Sequence, residues 1–231
     1  YYTDIKLPES MLDDPNCFIA DATDLRGIDD GSYDIVVAVD VFEHIQPKRR
    51  QAFINELARV SKAGVVFCFP IDAPHVCEAE ARANEYYKTI CGEDYIWLQE
   101  HRENGLPDTA DTLECVRALN TPYHAFQHGD IYLWEKLLKA HFFSAIADET
   151  IPYRKNIDVF YNSSIYMKDR SDKNYRVFYT LAKHAPLKDA AQAVDKLFDG
   201  EITQAEHAFI NDCVDDIHQI KELRTNLAQD R

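Results

Sequence analysis

Two apolar runs with a helical period between them constrain this chain more than any other feature. Tyr33-Asp34-Ile35-Val36-Val37-Ala38-Val39 and Val65-Val66-Phe67-Cys68-Phe69-Pro70 are short and rich in β-branched and aromatic residues. Runs of this kind read as strands buried on both faces, as a parallel sheet requires. Between them, 46–62 places Phe53, Leu57 and Val60 at helical spacing, with Pro47 near the start and Ala63-Gly64 at the end. Strand, helix, strand in this order implies a right-handed crossover and a doubly wound α/β sheet.

The flanking sequence extends that pattern. Cys17-Phe18-Ile19-Ala20 is a short apolar run ending at Asp21, and Asp29-Asp30-Gly31-Ser32 is a turn before the first long strand. Residues 73–102 turn helical and aromatic until Asn104-Gly105-Leu106-Pro107 breaks them. A short helix over 109–119 and an edge strand at 123–126, closed by His128-Gly129, come next. Leu133, Leu137, Leu138 and Phe142 mark an amphipathic helix over 131–147. A polar, tyrosine-rich stretch and a late strand at 176–181 complete this part. Beyond Pro186, two helical segments cover about 187–199 and 203–229. The second lines up Cys213, Ile217, Ile220, Leu223 and Leu227 on one face. That stripe is expected to pack on the parent domain; the alternative is a hairpin that forms a homodimer or leads to an adjoining domain.

Composition excludes several classes of function. Asp plus Glu number 40 against 25 Lys plus Arg, a net charge of −15 over 231 residues. Such a surface repels a phosphate backbone, and its only dense basic cluster is Lys48-Arg49-Arg50, so nucleic acid is not an expected partner. No stretch approaches the about 20 apolar residues needed to cross a bilayer, and no secretory leader opens the chain. The six cysteines form no C-x-x-C pair and no Cys/His cluster with zinc spacing, so no metal site is expected. Scattered thiols suit a reducing compartment, and a cytoplasmic location is the expectation.

In doubly wound sheets ligands bind at the carboxyl ends of the strands. Asp4, Asp21 and Asp40 each follow one of the strand runs. A single acid there is most simply a cap for the following turn or helix. Three in one half of the sheet point to a nucleoside-shaped ligand, because a carboxylate accepts hydrogen bonds from a ribose diol or an exocyclic amine.

The segments Cys17-Phe-Ile-Ala-Asp-Ala-Thr-Asp-Leu, Asp30-Gly-Ser-Tyr-Asp-Ile-Val-Val-Ala-Val-Asp-Val-Phe-Glu-His-Ile and Ala63-Gly-Val-Val-Phe-Cys-Phe-Pro resemble the class I S-adenosylmethionine-dependent methyltransferases of the type 11 kind. The resemblance implies a Rossmann-like domain over 1–184, with substrate-side insertions at 71–121 and 129–174, and a C-terminal hairpin or linker at 187–231. It implies S-adenosyl-L-methionine as cofactor and S-adenosyl-L-homocysteine as product. By position, Asp4 would hold the ribose hydroxyls, and Asp21 with the backbone of Ala22 would read the adenine. Ile5 and Leu25 would give it apolar contact. Asp40 and Val41 would lie near the methionine end. Glu43 and His44 fall in the matching D-V-F-E-H turn, where helix-start packing is the plainer role for His44 and that of catalytic base or acceptor contact the sharper one. Asp72, His75, His101, Glu103, His124 and His128 are further base candidates by location.

The family's first strand and glycine-rich turn have no counterpart here: the seven glycines form no G-x-G. Either an upstream segment supplies them, which is the expectation because the cofactor-side acids are in place, or the chain is a relative that no longer binds cofactor. The aromatic, acid-rich insertions and the W-L-x-E-H-x-E-x-G-L-P segment resemble modules of surface-glycan synthesis. They make a sugar or small-molecule hydroxyl the expected acceptor. The alternative is a non-catalytic methyltransferase-like interaction module. A nicotinamide-dependent oxidoreductase fits less well, since its own G-x-G-x-x-G is absent.

Overall fold

At the N-terminus two short strands, β1 (Tyr2–Asp4) and β2 (Cys17–Ile19), run parallel, with Tyr2 opposite Cys17 and Asp4 opposite Ile19. The expected strand–helix–strand unit follows as β3 (Tyr33–Val39), α1 (Arg50–Val60) and β4 (Ser61–Pro70), with β3 and β4 parallel. The computed structural model describes residues 1–229. Downstream come α2 (Pro74–Cys91), α3 (Ile96–Asn104), α4 (Thr109–Ala118), β5 (Tyr123–Asp130), α5 (Ile131–Ile146), α6 (Ile151–Phe160), β6 (Asn174–Ala182), α7 (Ala185–Leu197) and α8 (Gln204–Gln229). The strands form two sheets, β1–β2 and β3–β4–β6–β5, with β5 at an edge as its sequence suggested. The architecture is α/β, as expected of a Rossmann-like domain.

The chain divides into two compact units. One takes Tyr1–Asp72, Glu103–Phe126 and Val177–Ala193; the other takes Ala73–Arg102, Gln127–Arg176 and the chain from Val194. In the first unit α1 packs on β3 and β4 through the fully buried Phe53, Ile54 and Val60. The helix stops at Val60, two residues before the sequence pattern did. The Ser61 hydroxyl donates to the Ala58 carbonyl at 2.9 Å, and the Lys183 ammonium donates to the carbonyls of Ala58 and Ser61. Last-turn carbonyls satisfied in this way need no further helical turn. Gly64 sits so close to β6 that a Cβ there would overlap the Leu181 carbonyl oxygen and the Leu187 side chain.

Phe42, in the turn after β3, is the centre of this core. Its ring lies 5.4 Å from Phe53, 5.6 Å from Phe67 and 4.9 Å from Phe69, and the last two stack on Tyr179 of β6. One expectation fails here. β3 is not buried on both faces: Ile35, Val37 and Val39 are 48%, 62% and 49% exposed, whereas Val65, Phe67, Cys68 and Phe69 of β4 are buried. β3 is the outermost strand of its sheet, and α1 packs on it from one side, so β-branched residues on the opposite side stay open.

In the second unit α2 packs against α5, and α5, α6 and α8 share a core of Leu133, Phe143, Ile157, Ile165, Ile210, Val214 and Ile217. The polar, tyrosine-rich stretch is therefore helical. Ile157, Phe160 and Ile165 reach the core shared with α8, Phe160 lying 4.3 Å from Phe209, and α6 runs on into a π-helical turn at Tyr161–Ile165. The C-terminal stripe packs in part: Ile217 is fully buried, Cys213 borders the core, Leu223 is 63% exposed, and the Leu227 side chain lies outside the described residues. Lys168 donates to Glu206 at 2.6 Å, and this bond, with those from the Thr203 amide and hydroxyl, brings the Glu206 carboxyl down to about 2.

Two outcomes test this packing. Phe42→Ala should cost about 3–5 kcal/mol in urea unfolding, while Val37→Thr, on the open face of β3, should stay within about 0.5 kcal/mol. Glu206 has a depressed folded pKa, so its contribution is complete above its unfolded value near 4.3 and is lost as pH falls towards about 2. Acid titration followed by circular dichroism should show Glu206→Gln losing stability at neutral pH and converging on the parent near pH 2.

Candidate functional site

The carboxyl ends of the parallel strands in the first unit carry the acids that the sequence placed there. Asp4 closes β1, and its oxygens accept the Tyr2 hydroxyl at 3.0 Å and the Lys6 amide at 3.4 Å. That hydrogen bond raises the Tyr2 phenol above its ordinary value. The Ala20 amide donates to the Asp4 carbonyl at 3.0 Å, so the turn after β2 leaves beside Asp4 and brings Asp21 with it. Ile5 is 75% exposed, Ala22 is half-buried, and Leu25 is buried.

Asp21 is the most constrained of these acids. Its Oδ1 accepts from the Thr23 amide at 2.9 Å and the Thr23 hydroxyl at 2.7 Å, and its Oδ2 accepts from Arg49 at 2.7 Å. Arg49 also donates to the Thr23 hydroxyl oxygen. Burial pulls the Asp21 carboxyl upward, but the Thr23 and Arg49 hydrogen bonds outweigh it and hold the group below the usual carboxylate range. The following loop is pinned to α1. The Leu25 amide donates to Glu56 at 2.6 Å, while Arg59 donates to the carbonyls of Leu25 and Ile28 and to Asp30 at 2.7–2.8 Å. Hydrogen bonds from Arg59 keep Glu56 below its ordinary value, against a smaller effect of burial.

Asp40 stands at the tip of β3, in the other sheet. Its φ of 52° is in the left-handed region, which Asp tolerates better than most residues. Its amide donates to the Cys68 carbonyl at 3.1 Å, tying the β3 exit to β4. Val41 is 37% exposed, and the turn then buries Phe42 and Glu43. Arg50 lies over the Phe42 ring at 5.6 Å and donates to the Ile45 and Gly105 carbonyls. Burial lowers its guanidinium, and the Glu43, Asp72 and Asp111 charges oppose that. His44 is half-buried, with its carbonyl accepting from Asn104 at 3.3 Å. The D-V-F-E-H turn is thus built mainly by packing. Of the other base candidates, Asp72, Glu103 and His124 belong to this unit. The second unit holds His75 (to the Asn174 carbonyl, 3.1 Å), His128 (to the Tyr166 carbonyl, 2.8 Å) and His101. His101 meets Glu80 at 2.9 Å, and Glu80 also accepts the Tyr175 hydroxyl.

Sequence reasoning missed Thr23, Arg49, Glu56 and Arg59. The D-x-T spacing of Asp21 and Thr23 is a local turn signal that could have revealed the first. The triplet Lys48-Arg49-Arg50 read only as a basic patch, yet Arg49 and Arg50 point their charge at partners within the unit.

Residues 4–69 match the model of a methyltransferase domain family. That segment is less than a third of the chain. Among solved structures, the YcgJ protein from Bacillus subtilis is similar at 13% identity and a TM-score of 0.36, with 73% of this chain and 71% of that chain covered. No curated protein matches the chain. No helix among the described residues is long and apolar enough to cross a membrane.

The carboxylate acceptors Asp4 and Asp21 fit the nucleoside half of the cofactor that the methyltransferase domain family uses. Asp4 keeps carboxylate lone pairs beyond its two local contacts, and Asp21 Oδ2 accepts from Arg49 on a side chain 41% exposed. Both suit a ligand that offers a diol and an amine. Because Arg59 alone holds three oxygens of the loop, Arg59→Ala should speed amide hydrogen exchange at Leu25 and Ile28 while leaving β4 amides unchanged, measured by NMR.

Proposed function

We propose that this chain is an S-adenosylmethionine-dependent methyltransferase directed at an oxygen of a sugar, glycan or small-molecule acceptor. The observation that carries the reading is the match of residues 4–69 to a methyltransferase domain, with acids at the carboxyl ends of its parallel strands. S-adenosyl-L-methionine, when bound, supplies a methyl group on a sulfonium that departs as the neutral thioether of S-adenosyl-L-homocysteine. Asp4 accepts the ribose hydroxyls. Asp21 accepts the adenine amine, the Ala22 amide donates to the ring, and Ile5 and Leu25 border it. Asp40 and Val41, on the strained turn after β3, face the methionine end.

Methyl transfer then asks little of the protein beyond in-line positioning and a dry site. A hydroxyl acceptor also needs its proton taken, and His44, in the turn that follows Asp40, is the residue proposed to take it. Most aromatics of the insertions pack among themselves, and the exposed Trp97, Tyr132 and Tyr153 are those that suit stacking on a sugar acceptor. All six cysteines carry free thiols, in keeping with a reducing cytoplasm. A second reading, a methyltransferase-like interaction module, draws on the open row Ile35, Val37 and Val39, which suits contact with another protein surface.

Thermal melting with S-adenosyl-L-homocysteine separates the two. At about 100 times its dissociation constant the ligand adds about 2.7 kcal/mol, a shift of several degrees. Asp4→Ala should weaken the ligand by about tenfold or more, the cost of a hydrogen bond to a charged group. A shift seen only in a chain extended upstream keeps the methyltransferase reading, and no shift in either chain leaves the module reading in place.

A further inference from the structure

His128 is a buried titratable group to which the proposed reaction gives no task. It lies near the end of β5, and its Nε2 donates to the Tyr166 carbonyl at 2.8 Å, in the short turn that follows the π-helical residues. A carbonyl only accepts, so the ring proton must sit on Nε2, which fixes the tautomer of the neutral imidazole. The Tyr166 ring lies 4.7 Å away, and Phe198 stands edge-on at 5.3 Å. Asp169 ties the same pieces of chain together. Its carbonyl accepts the Gly129 amide at 2.8 Å, its Oδ1 the Asp130 amide at 2.8 Å and its Oδ2 the Tyr161 hydroxyl at 2.6 Å. Residues 128–130 and 161–169 are thus clasped within the second unit.

We infer that His128 is an acid-sensitive pin: in its neutral form it holds the turn 166–169 against the β5–α5 junction, and a second proton on its ring releases that turn. The residues concerned all lie outside 4–69, so the inference does not rest on the methyltransferase reading. A charged imidazole here would sit out of water beside two aromatic rings. Arg170 and Arg176 face it with like charge and Asp169 with opposite charge, and Arg170 is itself paired with Asp195 at 3.2 Å. Tyr161, Tyr166 and the Asp130 carboxylate, which caps α5, are the other titratable groups around the clasp. Burial, the largest influence, pulls the imidazole below its ordinary value, and the Tyr166 carbonyl and Asp169 oppose it. Such a base binds its proton more weakly in the closed form. The pin is therefore intact above about 6.5, the unfolded value, and weakens as pH falls towards the folded one. Burial raises the Asp169 carboxyl against the Tyr161 and Asp130 hydrogen bonds, so Asp169 holds its own proton more tightly when closed and offsets part of the loss at lower pH. The Lys168–Glu206 bond ties the turn to α8 throughout, because the Glu206 carboxyl stays ionised down to about 2.

Amide hydrogen exchange of the full chain, followed by NMR and corrected for the intrinsic rate at each pH, tests the pin. Protection at Gly129 and Asp130 should fall several-fold, at most about tenfold, between about pH 6.5 and about pH 5.5, while Ala83 in α2 of the same unit keeps its protection. His128→Gln keeps a donor for the Tyr166 carbonyl but has no proton to gain, so its protection should stay level over that range. In the parent, the His128 ring carbons should titrate with a midpoint below about 6.5, a reading that needs no variant. His141, also lowered by burial, faces Arg154 on α6, and the His128→Gln comparison keeps its titration apart. A flat exchange profile in the parent overturns the inference. So does an equal fall in His128→Gln or at Ala83, or a His128 midpoint at or above its ordinary value. Should His128→Gln fail to fold, the parent's exchange profile and imidazole midpoint decide between these outcomes.

Discussion

The ring of Phe42 is the contact on which the first unit depends. It sits in the turn that leaves β3, yet it packs against α1 through Phe53 and against β4 through Phe67 and Phe69. One buried side chain therefore couples the tip of β3 to the helix and strand that follow it. Asp40 and Val41, two residues and one residue before Phe42, take their positions from that anchor, and the left-handed φ of Asp40 is held by packing on the far side of the turn. Arg50 over the same ring extends the coupling to the Gly105 loop.

A second constraint shapes the acids. Carboxylates at strand tips are useful to a ligand only if their lone pairs are neither all consumed nor free to swing. Asp4 is held lightly by neighbours in its own strand and turn. Asp21 is held by a residue two positions on and by one 28 positions away, just before α1. Glu56 and Arg59, on α1 itself, hold the loop that follows. One face of that helix thus packs the sheet while its polar side sets the geometry of the 21–30 segment. The exposed Asp21–Arg49 pair contributes little to stability by itself. Its effect is on the orientation of the Asp21 carboxylate.

Much of this was legible in the chain. The uninterrupted run to Val39, the helix over the fifties and the run from Val65 gave strand, helix and parallel strand because each has its own hydrophobic period. The acids after β1, β2 and β3 were legible because strand ends were. The open face of β3 was not, since Ile35, Val37 and Val39 look the same in sequence whether or not something covers them. The helical character of 151–168 was hidden because the residues that pack towards α8, among them Ile157, Phe160 and Ile165, stand among polar residues and tyrosines and show no clear period. Arg49 and Arg59 escaped because hydrogen-bond partners 26–34 residues apart leave no local trace.

By itself the sequence determined the class of fold, the parallel pairing and which residue types stand at the strand ends, because periodicity and turn chemistry are local properties. Tertiary structure alone decided which lone pairs of those acids are spent, which arginines spend them and which apolar face stays open. Those outcomes depend on where α1 lies against the strands, and no short stretch of sequence encodes the distance between two segments that meet only after folding.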